Sequence, residues 1–249
     1  MPKKSNLENN NGNEMINFYE NKKLKEFLTE YQNPHFASHQ IRIPARLGIV
    51  SASGGGKTSF VLNLIARMQD TWGKIYVCYK ASEPLYEFLA KAIGEDKIQF
   101  FTHLSKFPRL NELEKDKQIL CIFDDCVTYD EKTQSVITEI AIRGRKYGKG
   151  VSLCYLTQSF YKVPRLIRLQ FSYLILLKLG SKRDTNMIVG ECSLGVEKEE
   201  LLRIYKDATK EKFHFLKIDL ENGEENKKFS HNWTGFYEIE KESDDEKTT

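Results

Sequence analysis

The chain reads as an α/β protein with a mostly parallel sheet covered by helices on both faces. Three observations predict it. A glycine-rich turn, Ser51-Ala52-Ser53-Gly54-Gly55-Gly56-Lys57-Thr58, joins the apolar run Leu47-Gly48-Ile49-Val50 to a helical pattern from Phe60 to Met68. Beyond it, strand-like and helix-like runs alternate, the order produced by strands joined through crossover helices. The strand-like runs are continuously apolar, as expected of strands buried on both faces.

Taken in order, residues 1–40 read as an N-terminal extension. Its Asn-rich start, Glu8-Asn9-Asn10-Asn11-Gly12-Asn13, has little apolar surface to bury, so the extension is expected to be partly disordered. Leu24, Phe27 and Leu28 give Tyr19 to Tyr31 the spacing of one amphipathic helix. The main domain is expected over 41–220, with Ile41 to Val50 opening the sheet. Lys74 to Tyr79 follows as a strand, then Pro84 to Ile93 as a helix with proline in its first turn, where a missing N–H is harmless. Ile98 to Phe101 and Ile119 to Phe123 are strands, and Glu131 to Arg143 is a helix. Val151 to Leu156 and Tyr173 to Leu177 are further strands, Asp184 to Gly190 and Val196 to Ala208 helices, and Phe213 to Ile218 the last strand. Residues 221–249 read as a C-terminal extension ending in an acidic tail.

The glycine-rich turn carries the first chemistry. Strand, turn and helix with Gly-Lys-Thr at the helix start form a P-loop, or Walker A, context. Backbone N–H groups of such a turn face inward, and the helix N-terminus adds partial positive charge for a phosphate. Ser53, Gly54, Gly55, Gly56, Lys57, Thr58 and Ser59 are therefore the expected nucleotide-binding residues. Lys57 would reach the β- and γ-phosphates of ATP, and the Thr58 hydroxyl would join a Mg²⁺ shell. The pattern departs from its template at Ser51, where glycine is usual; serine can hold the turn if its φ stays negative.

A P-loop calls for a carboxylate at the end of a buried strand, and Ile119-Leu120-Cys121-Ile122-Phe123-Asp124-Asp125 supplies two. Asp124 is expected to serve the metal, and Asp125 to orient or activate a water against the γ-phosphate, a Walker B pair. Gln158 follows the strand ending at Leu156-Thr157. Ligands of open α/β sheets bind beyond the carboxyl ends of strands, so Gln158 is expected to sense the γ-phosphate or the attacking water.

Composition narrows the class. With 249 residues, 40% hydrophobic and 29% charged, the chain suits one large soluble domain with extensions. No apolar run is long enough to cross a bilayer, and the polar N-terminus is no signal peptide. The five cysteines show no C-x-x-C pair; the expectation is a reducing compartment and no structural metal. Residues 238–249 carry net −4 in a chain of net +3, which leaves +7 on the rest. From Ile140 to Arg183 there are ten basic residues and no acid. Such an interval points to a polyanion or to acids supplied from elsewhere in the fold or by a neighbouring subunit.

Arg143-Gly144-Arg145-Lys146-Tyr147-Gly148, the strand after it, Leu156-Thr157-Gln158-Ser159 and Pro164-Arg165-Leu166-Ile167-Arg168 complete an ordered set. Together with the P-loop and the Asp-Asp pair, over about 41–177, this set resembles the FtsK–HerA superfamily of DNA-pumping ATPases. In particular it is similar to the genome-packaging ATPases of large DNA viruses and virophages. Ser51 departs from that pattern, as does Lys146, where packaging ATPases often carry histidine. The resemblance implies a RecA-like P-loop NTPase fold and a ring-shaped homo-oligomer that hydrolyses ATP to move double-stranded DNA into a capsid. It implies capsid or portal-vertex partners, work in the host-cell cytoplasm or virus factory, and virion association. A neighbour's arginine would complete the site, with Arg143 or Arg145 the first candidates and Arg168 the next. DNA contacts would be to phosphates, from residues such as Lys149, Lys162 and Lys182.

Two other readings share the P-loop: a small-molecule or nucleoside kinase, and a nucleotide-gated assembly protein without turnover. Paired acids and a strand-end glutamine suit water activation better than a phosphoryl acceptor.

Overall fold

The computed structural model describes residues 24, 27–81 and 83–239. The Asn-rich start, most of the expected 19–31 helix and the acidic tail from residue 240 lie outside the described residues. The chain divides into two units, residues 1–30 and residues 31–249.

Among the described residues of the larger unit, nine strands form one sheet of order β3-β2-β4-β5-β1-β6-β7-β8-β9. They are β1 (Arg46–Val50), β2 (Lys74–Cys78), β3 (Ile98–Phe101), β4 (Ile119–Asp124), β5 (Val151–Thr157), β6 (Tyr173–Leu176), β7 (Leu216–Asp219), β8 (Phe229–His231) and β9 (Gly235–Phe236). The first six in chain order pair only in parallel with one another. Helices are α1 (Phe36–His39), α2 (Lys57–Arg67), α3 (Pro84–Ile93), α4 (Glu131–Arg143), α5 (Arg165–Arg168), α6 (Lys182–Glu191) and α7 (Lys198–Ala208).

Strand alternation explains the two cores. Leu120 and Ile122 of β4 face α2 and α3, whose Phe60, Val61, Leu64, Tyr86 and Leu89 complete one apolar layer. Cys121 and Phe123 face the other way, toward Ile137 and Ile140 of α4, Ile188 of α6, and Leu201 and Ile204 of α7. All these side chains are buried, and each Val, Leu, Ile and Phe among them contributes about 1.5–3 kcal/mol when fully removed from water. That accounts for the continuous apolar runs of β1 and β5, in which every residue is buried.

The sheet departs from expectation at both ends. β1 begins at Arg46 rather than at residue 41, and Pro44, which lacks an N–H, cannot extend the ladder. The last expected strand, β7, runs antiparallel to β6. Two helices, α6 and α7, separate them, so the chain comes back to the end of the sheet it left and must descend. β8 and β9 then extend the sheet to residue 236, past the expected boundary at 220. Among the described residues, no helix is long and apolar enough to cross a membrane, and all five cysteines are free and buried.

Candidate nucleotide-hydrolysis site

The turn after β1 is tied down from both sides: Ser51 N–H donates to Thr157 O at 3.2 Å, and Ala52 N–H donates to Lys178 O at 3.0 Å. Gly54 (φ 67°) and Gly56 (φ 100°) take left-handed backbone, which glycine alone adopts without strain. Ser51 is not among the positive-φ residues, which explains how serine replaces the usual glycine. Its hydroxyl oxygen lies where a side chain on Gly55 would have to go, 1.9 Å from an ideal Cβ. Lys57 and Thr58 open α2 and are buried.

Asp124 ends β4, and the Tyr86 hydroxyl donates to its Oδ2 at 2.8 Å. Burial pushes the Asp124 carboxyl up to about 6; the Tyr86 bond opposes this, the Asp125 charge adds to it, and Lys57 opposes it. Asp125 follows with φ 50°, a left-handed conformation that aspartate tolerates better than most side chains. Its N–H donates to Leu156 O at 3.1 Å. Gln158 Nε2 donates to Asp125 Oδ2 at 3.0 Å. The structure therefore joins the two expected water-handling residues directly, at the carboxyl ends of neighbouring strands.

Two supporting residues escaped the sequence reading. Tyr86 sits in the first turn of α3, which follows β2, the strand paired with β4; that adjacency is its only signal. Asp184, at the first turn of α6, is buried and accepts from Ser159 Oγ at 3.0 Å and Tyr161 N–H at 2.8 Å, holding the segment just after Gln158.

The arginines lie elsewhere. Arg46, at the start of β1, donates from Nε to Ala141 O at 2.9 Å, so the end of α4 stands at the amino end of the strands. α4 has 13 residues, which separates Arg143 from the Walker B end by about 20 Å. Arg143 is exposed and pairs with Glu139 at 3.1 Å on its own helix. Arg145 pairs with Glu221 at 2.6 Å. Arg168, its side chain 11% exposed, packs over Phe160 and approaches Glu191 at 3.8 Å. With Arg46 and Arg165, Arg145 and Arg168 line a cavity of about 610 Å³. None of the three expected finger arginines joins the phosphate loop of its own chain.

The acid-free interval divides in the same way. Lys178, Lys182 and Arg183 follow β6 at the P-loop end, with Arg183 stacked 3.4 Å over the Tyr161 ring. Lys162 also stands at that end, whereas Lys146 and Lys149 precede β5 at the opposite one.

Residues 34–221 match the profile of the family described as Poxvirus A32 protein. The chain belongs to that family. No curated protein matches the chain significantly. Among solved structures, the A32-family chain is similar to B204, the DNA-packaging ATPase from Sulfolobus turreted icosahedral virus, at 13% identity and TM-score 0.52, covering 77% of this chain and 98% of that one. It is also similar to the genome packaging NTPase B204 from Sulfolobus turreted icosahedral virus 2 in complex with AMPPCP, at 15% identity and TM-score 0.51, over the same shares. EssC (ATPases 2 and 3) from Geobacillus thermodenitrificans matches at 12% identity and TM-score 0.50, over 78% of this chain and 40% of that one. At such identities the likeness establishes the fold: a P-loop NTPase sheet with helices on both faces.

Proposed function

We propose that this A32-family chain is an ATP-hydrolysing motor that translocates double-stranded DNA into a viral capsid. The observation that carries hydrolysis is the 3.0 Å bond between Gln158 and Asp125, beside a P-loop. A carboxylate held by a neutral amide is arranged to accept a proton from water as it attacks. No small-molecule acceptor is needed for that chemistry, which favours an ATPase over a kinase.

Thr58 and Asp124 offer hard oxygen donors, the type Mg²⁺ takes. No cluster of three or more His, Cys, Asp or Glu able to hold an ion occurs among the described residues. The chain thus supplies part of a shell, to be completed by phosphate oxygens and water. When bound, Mg²⁺ would neutralise charge on the β- and γ-phosphates. Lys57 would hold those phosphates, and Tyr86 would keep the Asp124 carboxylate oriented.

The packaging role is supported by the family match and by the likeness to B204, a DNA-packaging ATPase. DNA, a ring of identical subunits and a capsid or portal partner belong to the same proposal. So does work in the host-cell cytoplasm or virus factory, which immunolabelling of infected cells checks.

The central test measures ATP turnover with and without double-stranded DNA, alongside ATP binding, for the native chain and Asp125→Asn. Turnover should rise with DNA. Asp125→Asn, which keeps the acceptor for Gln158, should bind ATP and lose about 10²- to 10⁴-fold in turnover. Stimulation by a nucleoside instead of DNA would sink the motor reading, and unchanged turnover in the variant would sink the assignment of Asp125.

A further inference from the structure

The P-loop has two flanks. β1 lies between β5 and β6, and Asp124, Asp125 and Gln158 all stand on the β5 side. A triphosphate lying across the loop with its terminal phosphate toward those residues directs the nucleoside to the other flank, over β6 and β7.

On that flank a cavity of about 410 Å³ adjoins the loop, with Gly56, Ser59, Asn63, Phe213, His214 and Trp233 among its lining. Its floor is aromatic. Phe60 stacks on Trp233 at 5.1 Å between ring centroids, and Phe215 meets both edge-on. Phe213 forms the rim, 54% exposed, with φ 67°. A large aromatic side chain that is more than half exposed and in left-handed backbone is strained, and such strain gathers at ligand clamps. The ring touches the phosphate loop directly: an ideal Cβ on Gly56 would lie 2.7 Å from Phe213 Cδ1. An exposed cation, Lys212, stands 4.9 Å from the ring centroid. Asn63 donates its amide to Ser59 O at 2.8 Å, which leaves its Oδ1 to accept from a base edge.

We propose that this cavity is the nucleobase subsite, in which a purine stacks on Phe213 while the triphosphate occupies the P-loop. The inference rests on the reading of that loop as an ATP site and deepens it. It makes the antiparallel β7–β8 edge, outside every motif of the ATPase sheet, responsible for reading the base. The dominant recognition is an aromatic face, so the subsite separates a nucleotide from a bare polyphosphate.

The test compares binding of Mg·ATP and Mg·tripolyphosphate by titration calorimetry. Phe213→Ala and Phe213→Gly are the variants; glycine accepts the left-handed backbone, so loss of fold cannot mimic loss of the ring. Both should weaken ATP by roughly 5- to 150-fold, the range for base–aromatic stacking, and leave tripolyphosphate unchanged. Phe213→Trp should keep ATP affinity. ATP binding unaltered in both variants, or both probes weakened alike, overturns the subsite. Failure of the native chain to bind either probe removes the P-loop reading itself, and the subsite with it; Lys57→Ala should reproduce that double loss.

Discussion

Lys217 shows how one residue can carry an electrostatic cost inside this sheet. It is 2% exposed on β7, with its ammonium donating to Trp233 O at 2.6 Å and His39 O at 3.0 Å. Burial lowers its pKa from 10.5 to about 8, with the Asp219 charge opposing. A depressed lysine binds its proton less well folded than unfolded, so stability should rise as pH climbs through 8 toward 10.5. Below 8 the cost is fully present. Urea unfolding at several pH values should show the native chain gaining stability relative to Lys217→Met as pH climbs from 8 toward 10.5; parallel curves would refute it. Little in the sequence marks Lys217 as buried, because its neighbours in space, Trp233 and His39, are distant in the chain. Lys57 was legible because its motif is contiguous.

The packing of β1 depends on a residue with no side chain. An ideal Cβ on Gly48 would lie 2.5 Å from Phe171 Cε2, so the ring occupies the space above the strand. Gly48→Ala should overpack that contact and cost about 1–3 kcal/mol, and Phe171→Leu should restore most of it in the double variant. Thermal melts of the four chains measure this; simple additivity would show that the clash is absent. At this scale the reading from sequence was close. Pro84–Ile93, Glu131–Arg143 and Ile98–Phe101 are observed with the expected bounds, because apolar periodicity and end signals are local. The short helix Arg165–Arg168 and the direction of β7 were not legible. The first is a single turn too short for periodicity, and the second is set by where α7 delivers the chain.

At the scale of the whole molecule, the hydrolysis site and the finger arginines occupy opposite ends of the sheet. Any contribution of these three arginines to catalysis would therefore be to the site of another subunit. Arg143 suits the role best, being exposed and held only by an ion pair on its own helix, a type of interaction that contributes about 0.3–0.5 kcal/mol. Arg168 is mostly enclosed, and Arg145 is paired with Glu221. Mixing Arg143→Ala subunits with Lys57→Ala subunits, each inactive alone, should restore part of the ATP turnover. No recovery at any ratio would remove Arg143 as a trans-acting residue.

By itself the sequence determined the α/β class, the P-loop and the acids and glutamine that face it, since each is written in contiguous residues or in a local period. Tertiary structure alone decided that Gln158 meets Asp125, that Tyr86 holds Asp124, and that Asp184 anchors the segment beyond Gln158. It also decided that the acid-free interval is shared between two ends of the sheet, and that β8 and β9 belong to it. The physical reason is common to all of these. Strand order follows from burying both faces of a sheet whose neighbours are far apart in the chain, and no local pattern records which strands will lie side by side.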